Sequence, residues 1–173
     1  MMDKTRMEGA ISMEITKRCM ASVYLLKDDH ILLLYRQGSR VVNNVWIGSA
    51  GGHMEPQEID APETCALREM QEELGLSADD ISPPELRYIT LRMTNGEIRE
   101  NHYYFAQLRT DGELASNEGQ LRWFHLNELA DLPMAYTARY MIDHWLETGR
   151  HTNCIYGGVA DGKTVVFTEL YEY

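Results

Sequence analysis

Cysteine is scarce in this chain: Cys19, Cys65 and Cys154 are the only three among 173 residues. An odd, widely spaced set argues against a disulfide framework and offers no paired spacing for a zinc site, so reduced, buried or inert thiols are expected. Long hydrophobic runs are missing too. The longest, such as Ile31 to Tyr35, are of strand length, too short to cross a membrane as a helix. The polar start, Met1 to Glu8, lacks the apolar core of a signal peptide, and a cytoplasmic protein is expected. Positive charge is in deficit, with 16 Lys and Arg against 27 Asp and Glu and a formal net charge of -11. That balance argues against duplex nucleic acid as partner, because cationic contacts to phosphates supply most nonspecific affinity there. A small nucleotide is a different case, since a few local basic groups can hold it and a bound cation can mask acidic side chains.

What is present is ordinary for a globular protein: 44% hydrophobic and 25% charged residues, with no low-complexity tract. The length suits one domain over residues 1–173, with residues 1–14 as a leader or edge strand of no clear period and residues 151–173 as a C-terminal hairpin extension. Met20 to Leu26 and Ile31 to Arg36 flank a polar turn and read as a hairpin of the sheet core. Arg36, at the end of the second run, is a candidate phosphate contact. Gln37 to Val45 reads as a loop. Glu85 to Thr94 and Glu97 to Leu108 flank Asn95-Gly96, a strong hairpin signal because both turn positions require positive φ. The aromatic Tyr103, Tyr104 and Phe105 are expected in the core. Met134 to Glu147 carries Met134, Ala138, Met141 and Trp145 at helical spacing, and Asp161-Gly162 centres a closing hairpin.

The most informative stretch is Gly51 to Leu76, GGHMEPQEIDAPETCALREMQEELGL. Asp60 followed by Glu63 reads as a capping-box start, Pro62 suits the first turn, and Gly75 marks the end of a helix. At about 3.6 residues per turn, Glu69, Glu72 and Glu73 share one face, roughly opposite Ala66, Leu67, Met70 and Leu74. Like charges so spaced weaken an isolated helix and call for a counter-charge. A hard divalent cation supplies it, and Mg2+ in particular is commonly shared between carboxylates and substrate phosphates. His53, beside the glycines, is placed either to reach a phosphate or to face water.

These residues resemble the signature box of the Nudix hydrolase family: a Gly, a Glu, then Arg-Glu-apolar-x-Glu-Glu-x-Gly-apolar. Arg68, Glu69, Met70, Glu72, Glu73, Gly75 and Leu76 fall on its second half, and Gly52 with Glu58 on its first. Nine residues separate Glu58 from Arg68 where the family pattern has seven. Either the loop carries a two-residue insertion or Asp60 takes the glutamate's place. The resemblance, closest to the branch that cleaves 8-oxo-dGTP, implies an α/β/α sandwich with a mixed β-sheet and a Mg2+-dependent pyrophosphohydrolase, with Mn2+ as a substitute metal. It implies a ligand set of Glu69, Glu72, Glu73 and the Gly52 carbonyl, joined by Glu118 from the loop before Trp123. Glu69 and Glu118 then compete as the group that takes the proton of the attacking water. Arg68 pairs with Glu58 in a structural role. Asn44, in an Asn-Asn-x-Trp segment, is by resemblance a base reader, although it equally suits a turn.

The expected reaction converts a purine nucleoside triphosphate, oxidised or not, to the monophosphate and pyrophosphate. Cleavage of ADP-ribose is disfavoured, since family members with that activity tend to carry a proline beyond the box and none stands between Pro84 and Pro133. A dinucleoside polyphosphate is a second alternative, and a non-catalytic nucleotide sensor a third. Oligomeric state is not readable from this sequence.

Overall fold

The structure is a computed structural model that describes residues 15–37 and 44–171. The expected leader over 1–14 and the part of the loop that includes Asn43, residues 38–43, lie outside the described residues. Among the described residues, nine strands form one sheet: β1 (Thr16–Lys27), β2 (His30–Arg36), β3 (Val45–Ile47), β4 (Ala50–His53), β5 (Glu85–Thr94), β6 (Glu97–Gln107), β7 (Gly119–His125), β8 (Ile155–Ala160) and β9 (Val165–Leu170). Their order is β3-β2-β1-β6-β5-β8-β9, with β4 also paired to β1 and β7 to β2. β1 with β6 and β5 with β8 run parallel, and the remaining pairs run antiparallel, so the sheet is mixed.

Strand alternation divides the apolar residues between two faces. Val23, Leu25, Leu32, Tyr104 and Ala106 lie beneath α1 (Pro62–Leu74), which buries Cys65, Ala66, Met70 and Leu74 against them. Tyr24, Ile31, Leu33, Tyr103 and Phe105 turn to the other face, where α2 (Tyr136–Glu147) contributes Met141, Ile142 and Trp145. Phe105 and Trp145 stack with ring centroids 4.6 Å apart. Each large apolar side chain so buried contributes about 1.5–3 kcal/mol. The result is the expected α/β/α sandwich, with all three aromatic residues 103–105 in its core. Cys19 and Cys65 are buried, Cys154 is half-buried, and all three are free thiols.

Local signals hold at the turns and fail at two helix starts. Asn95 (φ 51) and Gly96 (φ 76) both adopt the left-handed conformation that the β5–β6 turn demands. The N-cap of α1 is Ala61, without a side-chain cap, and not Asp60, which is exposed. Pro62 disfavours a helical conformation in the residue before it, so Ala61 (φ -140, ψ 66) stands outside the helix as its N-cap and the turn around Asp60 does not cap it. A reciprocal capping box forms earlier instead, between Glu55 and Glu58 in the single helical turn Pro56–Glu58. Likewise α2 begins at Tyr136, because Met134 is drawn into a parallel bridge with Trp46. The closing hairpin β8–β9 widens the sheet by pairing with β5.

The site depends on a fork in this sheet. β1 pairs with β2 over Leu25 to Lys27, and then β4 takes over its edge from Met20 to Val23. Buried Ser49 stands at the branch: its hydroxyl accepts from the Leu25 N–H (2.8 Å) and donates to the Leu32 carbonyl (2.6 Å). Substituting Ser49→Ala strands a buried donor and a buried acceptor and should cost about 2 kcal/mol or more, measured by urea unfolding. A loss within experimental error would show that the fork does not need this hydroxyl.

Candidate functional site

Arg68, on α1, ties the loop after β4 to the helix. Its Nε and Nη2 grip the two oxygens of Glu58 at 2.8 and 2.9 Å, and Nη2 also donates to the His53 carbonyl at 3.2 Å. Nη1 reaches Glu69 at 2.8 Å and Glu72 at 3.1 Å. Glu58 is buried, and the Arg68 hydrogen bonds hold its carboxyl down to about 2, well below the usual 4.5. The nine intervening residues thus leave the Glu58–Arg68 pair in place, while exposed Asp60 is not Arg68's partner.

The second acidic group gathers where α1 meets the β4 strand. Glu73 accepts a hydrogen bond from the Gly51 N–H at 3.1 Å. Burial pushes its carboxyl up to about 7, with the neighbouring Glu69 and Glu118 charges adding to the rise against the Gly51 hydrogen bond and Arg36. A side chain at Gly52 would meet the Glu69 carboxylate, since an added Cβ would lie 2.3 Å from its Oε1. Only glycine lets that carboxylate rest against the strand. Glu118 is exposed at the start of β7 and pairs with Arg36 at 3.4 Å. Among the described residues no three His, Cys, Asp or Glu side chains converge closely enough to enclose an ion. Glu72, expected to share its direction with Glu69 and Glu73, lies at the rim with 59% of its side chain exposed, drawn there by Arg68. The donor set nonetheless fits a hard cation. It is all oxygen: Glu73 meets the Gly51 N–H while Glu69 lies against Gly52, and the Glu69 and Glu118 charges add to the burial that raises the Glu73 carboxyl, so one more positive charge is favoured there.

Beside this cluster a cavity opens on the α2 face of the sheet, lined by Tyr24, Ile47, Tyr103 and Tyr136 with the polar groups of Arg36, Arg92, Arg99 and Asn101. Gly51 and Arg36 belong to both the cavity wall and the acidic cluster. His53 is exposed at the end of β4. Asn44 is exposed, adopts φ 57 in a bend and donates its backbone N–H to the Arg36 carbonyl at 2.8 Å, at the end of the β2–β3 ladder. It is not among the residues that line the cavity.

Comparison with known proteins decides the family. A model described as NUDIX domain matches residues 16–145, most of the chain. The chain belongs to the NUDIX family. Among curated relatives, a Mycobacterium tuberculosis protein named "Putative 8-oxo-dGTP diphosphatase 3" is 32% identical over 110 residues, which are 60% of this chain and 48% of that one. The chain therefore spans about half the length of the curated relatives it matches. Among solved structures, MutT NUDIX hydrolase from Burkholderia pseudomallei is 25% identical with TM-score 0.60, covering 74% of this chain and 97% of that one. A MutT protein from Bacillus halodurans (24% identical, TM-score 0.62, covering 88% and 97%) and a C. elegans Ap4A hydrolase (14%, 0.61, covering 80% and 100%) share the fold.

The NUDIX match stops short of β8 and β9, so the closing hairpin lies outside the matched region. Sequence reasoning missed Arg92, Arg99 and Asn101 of the cavity wall. A signal for them existed: counted in twos from Tyr103, Asn101 and Arg99 share its face of β6, and the Asn95-Gly96 turn brings Arg92 opposite Arg99.

Replacing Arg68 by Ala should leave Glu58 buried and unpaired and destabilise the fold by about 3 kcal/mol, whereas Arg68→Lys restores charge but not the two-pronged grip and should recover only part. Equilibrium unfolding of the two variants tests this, and a neutral Arg68→Ala would remove Arg68 as the tie. The two shifted carboxyls also have opposite pH signatures. Glu58, depressed when folded, stabilises above its unfolded value of 4.5, and that share is lost as pH falls through about 2. Glu73, raised when folded, stabilises below 4.5, and that share is lost as pH rises through about 7. In chelator, wild-type stability should therefore decline between those two values relative to Glu73→Gln, in which the step is absent. Parallel pH curves for the two proteins would contradict the assignment.

Proposed function

We propose that this protein hydrolyses a phosphoanhydride bond of a purine nucleoside triphosphate, releasing the monophosphate and pyrophosphate, with oxidised purines such as 8-oxo-dGTP favoured. The observation that carries this reading is the sharing of Gly51 and Arg36 between the cavity and the acidic cluster, which sets an aromatic-lined pocket directly against a cation-binding type of donor set. The named activity of the M. tuberculosis relative agrees with it. Glu69, Glu72, Glu73 and the Gly52 carbonyl are the proposed ligands of Mg2+, the all-oxygen set suiting a hard ion, and Glu118 is left free as the base. When bound, that ion neutralises phosphoryl charge and acidifies a coordinated water.

The chain's own groups do the rest. Arg36 binds phosphate oxygens at the cavity mouth, exchanging Glu118 for the substrate. Released from Arg36, the exposed Glu118 carboxylate takes the proton of the attacking water, while Glu69 stays engaged by Arg68 Nη1. Tyr24, Tyr103 and Tyr136 shape an apolar pocket for the base, and Asn101 offers the amide that can pair with its edge. A site built on such hydrogen bonds discriminates steeply, because the wrong base leaves them unpaired.

Pyrophosphate release from a nucleotide panel should require added Mg2+ and vanish in EDTA. Glu73→Gln should reduce kcat while the protein remains folded, and Glu118→Gln should lower it by on the order of 10²-fold. Full activity of Glu73→Gln would remove the metal assignment. The kcat/KM ratio of 8-oxo-dGTP to dGTP should exceed one and fall in Asn101→Ala but not in Asn44→Ala. A ratio of one in wild type would refute the preference for oxidised purines, and a loss confined to Asn44→Ala would move base reading to the other loop.

A further inference from the structure

The far end of the cavity carries a feature that triphosphate cleavage does not use. Arg18 on β1 stands opposite Arg99 on β6, and Arg99 stands opposite Arg92 on β5, so three arginines form one row across three strands. Strand alternation puts them on the α2 face with Ser22, Asn101 and Tyr103. Like charges directly opposite one another destabilise a sheet. Among the described residues one carboxylate pairs with them: Glu97 meets both Arg18 and Arg99. Arg92 bonds through Nε to the Thr94 hydroxyl at 3.1 Å, and its guanidinium lies over the Tyr136 ring, 5.9 Å from the centroid. Among the described residues, three positive charges against one paired negative make a local excess of cation in a chain of net charge -11.

This excess faces a ligand cavity. Arg92 and Arg99 both line it, together with Asn101 and Tyr136. Gly51, at the acidic end, lies level with Ser22, four residues along β1 from Arg18. At about 3.3 Å per residue the backbone of the arginine row therefore sits roughly 13 Å along β1 from the level of Gly51. Arg36 serves the phosphates beside Gly51, so the row adds cationic groups to a stretch of cavity wall on strands other than the one that carries Arg36.

We propose that Arg92 and Arg99 form a second anion subsite, which selects nucleotides carrying a further phosphate on the sugar, away from the anhydride. The planar guanidinium groups suit phosphate oxygens, and an anion between them relieves the repulsion within the row. This specifies the substrate class of the site in the preceding section and rests on the nucleotide reading made there.

Binding measured by calorimetry in EDTA separates the two claims, because neither metal nor hydrolysis enters. The ligands are guanosine 5′-monophosphate, the 3′,5′-bisphosphate and the 2′,5′-bisphosphate, the last two showing which sugar oxygen carries the group. One of the bisphosphates should bind wild type at least tenfold more tightly than the monophosphate. Arg92→Gln with Arg99→Gln should abolish that advantage, and Arg92→Lys should retain most of it. Thermal melts check that each variant is folded, and relief of repulsion favours that result. Equal affinity of all three ligands overturns the subsite, as does an advantage that survives the double substitution. Pyrophosphate release assayed separately with Mg2+ reports on the hydrolase reading, so either claim can fail without the other.

Discussion

The two-pronged contact between Arg68 and Glu58 is the constraint on which the acidic region depends. A carboxylate as buried as Glu58 is tolerated only with a partner that meets both its oxygens, and Arg68 does so while its remaining donors reach the His53 carbonyl, Glu69 and Glu72. One side chain thereby fixes the distance between the loop after β4 and the first exposed turn of acids on α1. Glu58 is held twice over, since it also accepts the Glu55 N–H and closes the turn that leads into the helix. The loop is longer than the family pattern, but the pair bypasses its extra residues, which are spent in an exposed turn.

The second constraint is the fork between β1 and its two neighbours. A continuous β1–β2 ladder would leave no opening beside Gly51, whereas the insertion of β4 brings Gly51 and Gly52 under α1 and opens the α2 face of the sheet to a ligand. Ser49 satisfies the backbone groups that the divergence would otherwise strand. Gly52 then lets Glu69 lie flat against the strand, and the Gly51 N–H meets Glu73. Packing on one face and polar chemistry on the other are thus joined through four consecutive residues of one short strand.

Charge is distributed unevenly around this frame. Acidic groups concentrate on α1 and at Glu118, while the cavity wall carries Arg36 at one end and Arg92 with Arg99 at the other. A strongly acidic chain therefore presents a locally cationic pocket, which overall charge alone conceals. The low dielectric of the half-buried wall makes each of these few groups count for more than an exposed lysine would.

The sequence by itself determined the helix of the acidic box with its end at Gly75 and the Asn95-Gly96 hairpin, because these rest on periodicity and on turn chemistry carried by adjacent residues, while the layered fold and the family came from the resemblance of that box to the Nudix signature. Its reading of the α1 start failed at Asp60 because a capping motif and a proline competed over the same two positions, and the proline's steric demand on Ala61 prevailed. Only the tertiary structure decided that Glu58 meets Arg68 across a lengthened loop, that Glu72 lies exposed at the rim while Glu73 is half-buried, that Asn44 is not among the residues lining the cavity, and that Arg18, Arg99 and Arg92 align. Each of these depends on contacts between segments far apart in the chain. Strand register and the burial of one carboxylate beside another are settled by packing, which leaves no local mark in the order of residues.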